Sequence, residues 1–192
     1  EFDMSEWKKC KLGVDLNCSF LSGFAFKSQD YGKEGIPIIK IGNIQGKRVF
    51  TNLSSDYFPS RLINSKIIDF LLQNGDVLIA MTGQGSVGRV GKLLLKEGEN
   101  ALLNQRVGKF LCDEISLNKE YLFYVLTTDL YQDYLFSAGT GSGQPNLSPE
   151  VILETEISAP PYKNQKAIAS ILSSLDGKID LLHHQNQTLE AM

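Results

Sequence analysis

The spacing of apolar residues along the chain predicts many short strands and a few helices. Apolar runs and alternations predict strands around Phe24 and Phe26, at 36–41, at 49–50, on both sides of the glycine-rich segment 83–91, and at 101–111. The segment 4–12 is predicted to enter the core as a strand or short turn. Helical spacing predicts an amphipathic helix at 60–72, ended by Asn74-Gly75, and a second helix at 118–138 with a break near 127–129. Ser148-Pro149 predicts one further helical turn.

The clearest periodicity is near the end of the chain and predicts a long helix. Its seam has alternating spacings of four and three residues, typical of a coiled coil, and consists of Ile168, Leu172, Leu175, Ile179, Leu182, Asn186 and Leu189. The polar Asn186 occupies a seam position where one such residue fixes register and oligomeric state. This pattern predicts dimerisation through the helix. A helix that packs on its own globular body is the alternative.

The glycines at 83, 85 and 88 have the spacing of a dinucleotide-binding turn. That motif requires a helix directly after the glycines, so that the helix N-terminus holds the pyrophosphate. Here Arg89-Val90-Gly91 and a run of leucines follow, which favours a return strand. We therefore predict a β-hairpin with a glycine-rich tip.

Composition sets further limits. The chain has 192 residues, of which 42% are apolar, enough for one sizeable core. No apolar run reaches the roughly 18 residues that span a bilayer, which predicts a soluble protein. Three cysteines without CxxC spacing and two adjacent histidines, His183 and His184, predict no disulfide framework, metal site or Ser/His/Asp triad, and a reducing cytoplasm. Residues 1–3, before Met4, are interpreted as a cloning remnant.

Charge is unevenly distributed although the net charge is only −3. Residues 27–66 contain seven Lys or Arg against three acidic residues, whereas residues 111–162 contain one base and eight acids. The chain therefore combines a locally basic half with an acidic half. Ordinary variation of surface charge would give a similar pattern, so charge alone does not distinguish a nucleic-acid-binding surface from such variation.

A set of motifs, in order along the chain, resembles one half of a specificity subunit of type I restriction–modification systems. The resemblance covers residues from Trp7 to about Leu182, and its pieces are SGFAFKSQDY, IPIIKIGNIQ, GDVLIAMTG with the later GRVG, LLNQRV, YLFYVL, SAGTGSGQPNLS and QKAIASILSSLDGKID. Two departures are the glycine-rich insertion at 83–86 and the sequence APPY in place of the more usual Pro-Pro-Leu.

The resemblance implies an α+β fold: a mixed α/β target-recognition domain with a β-rich core at 4–160, then a conserved spacer helix of coiled-coil type at 161–192. Family members carry two such units in tandem, whose helices pair antiparallel and separate the halves of a bipartite DNA target. This chain has one unit, so it is a natural half-subunit or a fragment that pairs with a second copy. The implied partners are double-stranded DNA and the modification (methyltransferase) and restriction subunits, which carry the catalysis; no cofactor is implied.

Candidate DNA-contacting residues were chosen for loop position and chemistry. Phosphate contacts are predicted for five cations: Lys27, Lys47, Arg48, Arg89 and Lys92. Base-edge contacts are predicted for nine polar side chains: Asn43, Gln45, Thr82, Gln84, Ser86, Thr140, Ser142, Gln144 and Asn146. No catalytic residue is predicted.

Two other functions remain open from the sequence. The segment Ala159-Pro160-Pro161-Tyr162 resembles the Pro-Pro-Tyr motif of amino-methyltransferases, so a degenerate or active DNA adenine methyltransferase or endonuclease fragment is one alternative. Ala159 lacks the polar side chain that the motif uses to hold the target amine. The other alternative is a coiled-coil interaction module without DNA specificity.

Overall fold

The computed structural model describes residues 7–54, 56–140 and 143–190. The remnant predicted at residues 1–3 and the candidate base contact Ser142 lie outside the described residues.

Short strands make up most of the body that the structure describes. Their bounds are β1 Lys8–Lys11, β2 Ser19–Ser22, β3 Ile36–Ile39, β4 Ile44–Gln45, β5 Arg48–Val49, β6 Tyr57–Phe58, β7 Leu71–Leu72, β8 Val77–Ala80, β9 Val90–Leu93, β10 Ala101–Leu103, β11 Val107–Leu111 and β12 Glu156–Ala159. The α-helices are α1 Lys119–Leu126, α2 Asp129–Thr140, α3 Pro149–Leu153 and α4 Tyr162–Glu190. This β-rich body followed by one long helix matches the α+β class predicted from the sequence.

The strands form two sheets and a separate two-stranded pair. The larger sheet has the order β2-β11-β8-β9-β5-β4 and the smaller one β6-β3-β10-β7, while β1 pairs with β12. Neighbours are antiparallel except β5–β9 and β3–β10, which are parallel. Because β3 and β10 run in the same direction, the loops that follow them leave the smaller sheet at one end.

Strand β8 lies at the centre of the molecule and is buried on both faces. Successive side chains of a strand point to opposite faces. Val77 and Ile79 accordingly pack in the cluster that includes the helices, whereas Leu78 and Ala80 pack in the cluster with β3, β7 and β10. A strand covered on both sides has a continuous apolar sequence, as in Val77–Ala80.

The predicted hairpin after Gly75 is confirmed. Strands β8 and β9 are antiparallel, with Leu78 opposite Gly91 and Ile79 opposite Val90. No helix follows the glycines, because Arg89 leads directly into β9, and the nucleotide-binding alternative loses the element that it requires.

The helix predicted at 60–72 is wrong. The segment contains two 3₁₀ turns, Ser60–Leu62 and Ile68–Phe70, and then strand β7. The Asn64 side chain accepts a hydrogen bond from the backbone N–H of Lys66 (2.9 Å), a local bond that competes with helix formation. The predicted helix end at Asn74-Gly75 is instead the turn that precedes β8.

The helical prediction at 118–138 is confirmed as α1 and α2, with the break between them, although α2 extends to Thr140. Asn118 caps α1 by accepting the backbone N–H of Tyr121 (3.0 Å). Ser148 caps α3 in the same way, with Pro149 in the first turn.

The start of α4 is fixed to the body by one buried amide. Gln165 is 1% exposed, accepts the backbone N–H of Asn118 (2.9 Å), and donates to the carbonyls of Ser116 and Pro160 (3.0 Å each). Because every polar atom of this side chain has a partner, its burial carries no desolvation penalty from an unpaired group. The first turns of α4 therefore have a defined position against α1.

Candidate nucleic-acid interface

Three loops meet at one end of the two sheets. The backbone N–H of Met81 donates to Arg106 O (3.0 Å), the N–H of Leu147 donates to Met81 O (2.7 Å), and Thr82 pairs with Asn146 in an isolated β-bridge. These bonds join segments that are far apart in sequence. We refer to residues 82–89, 104–106 and 143–147 as the loop surface.

The segment 104–106 was predicted to lie inside a strand, and this prediction is wrong. It forms a turn between β10 and β11, closed by the Val107 N–H bonding to Asn104 O (2.9 Å). Asn104 is buried, whereas Gln105 and Arg106 are exposed. The turn explains how three polar residues occur within an apolar sequence.

Gly88 allows the glycine-rich loop to lie against α2. It has φ +82, and a Cβ atom at this position would come within 2.8 Å of the Leu135 backbone. A side chain is excluded both by the left-handed conformation and by the close approach. Glycine at 88 therefore serves packing within the protein.

Arg89 holds the same loop to the neighbouring strand. Its guanidinium donates to Ile44 O (2.9 Å) and to Gly85 O (2.8 Å). A guanidinium has five N–H donors, so some remain for another ligand. Arg89 was predicted as a phosphate contact, and the structure gives it this clamping role in addition.

The exposed side chains of the loop surface are amides and one arginine. Thr82 and Ser86 are partly exposed, and the exposed members are Gln84, Gln105, Arg106, Gln144 and Asn146. The three segments contain two arginines and no Asp or Glu. Amide, hydroxyl and guanidinium groups are those that bond to base edges and phosphates, and the lack of carboxylates in these segments favours a polyanionic ligand.

Gln105 and Arg106 were missed by the selection of candidates from the sequence. They were treated as part of a strand, so they were not considered as loop residues. Three consecutive polar residues within an apolar run were the available signal for a turn.

Asn43, a predicted base contact, has a structural role within the protein. It is 3% exposed, donates to Phe50 O (2.9 Å) and Ser54 Oγ (3.1 Å), and accepts the backbone N–H of Lys40 (2.8 Å). These bonds hold the segment 40–54 together, and no part of the amide remains for DNA.

Lys92, a predicted phosphate contact, likewise has a structural role within the protein. Its side chain is 16% exposed, forms a 2.8 Å ion pair with Glu120, and lies over the ring of Phe123 at 4.9 Å. The ammonium therefore joins the larger sheet to α1. A phosphate contact would require it to leave both partners.

Three further candidates lie beside the β4–β5 turn, at the edge of the larger sheet. Gln45 and Lys47 are exposed, and Gln45 Nε2 donates to Gly42 O (3.2 Å). Arg48 forms an ion pair with Asp180 of α4. These residues lie beside the loop surface, since Lys47 lines a small groove together with Arg89.

The last two predicted DNA contacts are Lys27 and Thr140. Lys27 is exposed and follows Phe26, whose ring packs in a core cluster with Phe58. Thr140 is the last residue of α2, and its hydroxyl donates to Phe136 O (3.0 Å). The contribution of Lys27 and Thr140 to DNA binding stays a prediction.

Large pKa shifts occur on the helical side of the molecule. Burial raises the pKa of Tyr121 to about 12, and burial followed by the hydrogen bond to Asp176 raises the pKa of Tyr124 well above its usual value. Tyr121 donates to Ser158 O (2.6 Å) and Tyr124 to Asp176 Oδ2 (2.8 Å). These shifts follow from helix packing and hold both phenols protonated as donors.

The predicted seam of α4 divides into two parts. Ile168 packs against the body and Leu172 is half-buried, whereas Leu175, Ile179, Leu182 and Leu189 are 53%, 49%, 48% and 68% exposed. Asn186 is also exposed. The second half of the seam therefore has no partner within the described residues of this chain.

The described ranges contain no group of three or more His, Cys, Asp or Glu residues placed to hold a metal ion. Within the same ranges, no helix is long and apolar enough to cross a bilayer.

A β-rich unit with converging polar loops and a protruding, partly unpaired helix defines a surface-recognition module. The chain belongs to the type I restriction modification DNA specificity domain family, whose sequence profile matches residues 4–191. The resemblance predicted from the motifs is confirmed.

Individual relatives agree with the family assignment. The type I restriction enzyme MjaVIII specificity subunit of Methanocaldococcus jannaschii is 29% identical over 188 residues, which cover 96% of this chain and 43% of that protein. The EcoBI specificity subunit of Escherichia coli is 27% identical, over 88% of this chain and 33% of that protein. The chain therefore spans less than half the length of these relatives.

Solved structures confirm the α+β fold. The HsdS subunit of Thermoanaerobacter tengcongensis has a TM-score of 0.62 at 16% identity, covering 96% of this chain and 40% of that one. The type I restriction–modification S subunit from M. genitalium has a TM-score of 0.63 at 17% identity, covering 97% and 43%.

Replacing Arg89 with Met is expected to loosen the glycine-rich loop. Two charge-assisted bonds to carbonyls are lost, and amide hydrogen exchange at residues 83–88 should rise about tenfold. Arg106→Met removes an arginine from the same surface without breaking a clamp, and exchange there should be unchanged. Equal exchange in both variants would contradict the clamping role.

Proposed function

We propose that this chain reads one half of a bipartite DNA target through the loop surface. The observation that carries the proposal is the convergence of three loops whose exposed side chains are amides and an arginine, in a chain of the DNA specificity domain family. Arg106, Arg89 and the peripheral Lys27 and Lys47 supply phosphate contacts. The base-edge contacts come from five amides and two hydroxyls: Gln84, Gln105, Gln144, Asn146, Gln45, Thr82 and Ser86.

The chain supplies sequence reading and assembly, and catalysis belongs to separate modification and restriction subunits. It corresponds to one unit of the longer relatives, with a recognition domain at 4–160 and a spacer helix at 161–192. Two copies pair through the exposed seam of α4, and Asn186 fixes their register. The symmetric pair reads an inverted repeat in double-stranded DNA, in the cytoplasm and without a cofactor.

The methyltransferase alternative is disfavoured by the geometry of its motif. In such a motif a polar side chain and an adjacent carbonyl hold the target amine. Ala159 is buried in β12 opposite Lys8, and the Pro160 carbonyl already accepts the Gln165 amide (3.0 Å). Neither group is available to a substrate.

DNA affinity is expected to fall steeply with salt, and Arg106→Gln should weaken it. If Arg106 contacts a phosphate, the slope of log affinity against log salt should be less negative by about one in Arg106→Gln than in the wild-type chain. Fluorescence anisotropy on a mixed-sequence duplex measures this slope. The control is Arg61→Gln, which alters an exposed arginine in the turn that follows β6, at the opposite end of the smaller sheet. Affinity insensitive to salt, or equal losses in both variants, would count against the loop surface.

Leu182→Asp is expected to abolish dimerisation. Leu182 lies on the seam and is 48% exposed, so the substitution places charges in the paired interface without disturbing the body. Its neighbour Leu181 is 57% exposed and lies off the seam, and Leu181→Asp should remain dimeric. Analytical ultracentrifugation distinguishes the two, and a dimer that survives Leu182→Asp would refute pairing through the seam.

A further inference from the structure

The contacts that hold α4 change in character along the helix. Gln165 and Ala169 are its buried residues in the described part of the chain. Leu172 is half-buried, and beyond it Tyr124 donates to Asp176 (2.8 Å) and Arg48 pairs with Asp180. Residues 181–190 are all exposed. Among the described residues, Asp180 is thus the last point at which an ion pair or hydrogen bond joins the helix to the body.

A groove separates this part of α4 from the sheet. It has a volume of about 340 Å³, and from α4 it is lined by Ser173, Asp176, Gly177 and Asp180, which recur at helical spacing on one face. A Cβ atom at Gly177 would meet nothing within 4 Å. Side-chain packing therefore does not fix the angle of the helix at this point.

We infer that the Arg48–Asp180 ion pair is a positioning contact that sets the direction in which the free end of α4 leaves the recognition domain. Arg48 belongs to β5, next to the edge strand β4 of the larger sheet, and lies 132 residues from Asp180 in sequence, so the pair ties the recognition domain directly to the spacer helix. If the proposed function holds, on which this step rests, the pair also sets the separation of the two DNA half-sites.

Because the helix is long, a small change in its tilt at Asp180 produces a large displacement of its far end. From Ala169 to Glu190 the helix extends about 30 Å, at a rise of 1.5 Å per residue. A tilt of about 6° then moves its end by about 3 Å, close to the roughly 3.4 Å between successive nucleotides of a DNA strand. A small change in the direction of the helix is therefore enough to move its end by about one nucleotide step.

The alternative role of Arg48 is the phosphate contact predicted from the sequence, with Asp180 competing for its guanidinium. The two roles make opposite predictions for Asp180→Asn, which leaves Arg48 in place. A positioning contact predicts a changed helix direction and unchanged affinity for a single half-site. A reserved phosphate contact predicts an unchanged direction and a higher affinity, because Arg48 no longer has a competing carboxylate.

The helix direction is measurable without DNA or dimerisation. Trp7, the single tryptophan of the chain, serves as energy-transfer donor, with a fluorescent non-natural amino acid at the exposed position Gln187 as acceptor. At a dilution where the chain is monomeric, Asp180→Asn should shift and broaden the distance distribution. The exchanged pair Arg48→Asp with Asp180→Arg should restore it. Glu190→Gln, the same acid-to-amide change at the exposed helix end, should leave it unchanged.

An unchanged distribution in Asp180→Asn overturns the inference, as does a shift of equal size in Glu190→Gln. A higher half-site affinity with an unchanged distribution also overturns it, and assigns Arg48 to phosphate binding.

The second arm uses duplexes that carry two selected half-sites at separations differing by one base pair. Both partners of the pair are about half exposed, at 47% and 42%, and such pairs change an equilibrium constant by at most about fivefold. Asp180→Asn should lower the preference for the best separation about threefold, with half-site sequence preference retained. A shifted distance distribution with an unchanged separation preference would refute the role in spacing. Wild-type protein without sequence-specific binding would remove the proposed function, while the distance measurement still decides the positioning role.

Discussion

Strand β8 is buried on both faces, and the rest of the molecule depends on that burial. Its alternating side chains join two apolar clusters, one with the helices and one with the smaller sheet. Because both faces are covered, the position of the strand along its own axis and its register with the neighbouring strands are fixed. The loop that follows Ala80 is consequently held at one end of both sheets, where Met81 bonds to Arg106 O (3.0 Å) and accepts a bond from Leu147 (2.7 Å). A strand buried on both faces thus holds three loops together at one end of the sheets.

The first turns of the long helix α4 are fixed in position by the same body. The direction of the rest of the helix depends on few contacts. Gln165 fixes the first turns through three hydrogen bonds, and later contacts are polar and partly exposed. This arrangement separates two tasks, since changes in the loops need not alter the helix and changes in the helix need not alter the loops. For a protein that reads a target in two halves, sequence preference and half-site separation can then be adjusted independently.

The sequence predicted those features that depend on local periodicity. The hairpin after Gly75, the pair of helices after Asn118 and the long C-terminal helix all follow from repeats of two or three to four residues. The helix at 60–72 was wrong because a short run of isoleucines and leucines fits a helix and a strand equally well, and Asn64 favours a turn. The structural roles found for two of the candidates depend on long-range partners. No residue near Lys92 in the sequence indicates that its partner is Glu120. Asn43 resembles an ordinary loop asparagine in the sequence, and only the structure shows its hydrogen bonds to Phe50 and Ser54.

The most direct test of the account is selection of bound duplexes from random DNA by the wild-type chain and by a variant with Gln84, Gln105 and Gln144 replaced by alanine. The account predicts that the wild-type chain enriches two short half-sites as an inverted repeat with a fixed separation. The variant should lose or change the half-site sequence and keep the separation. The account would be contradicted if the wild-type chain enriched no motif, or if the variant enriched the same motif as strongly.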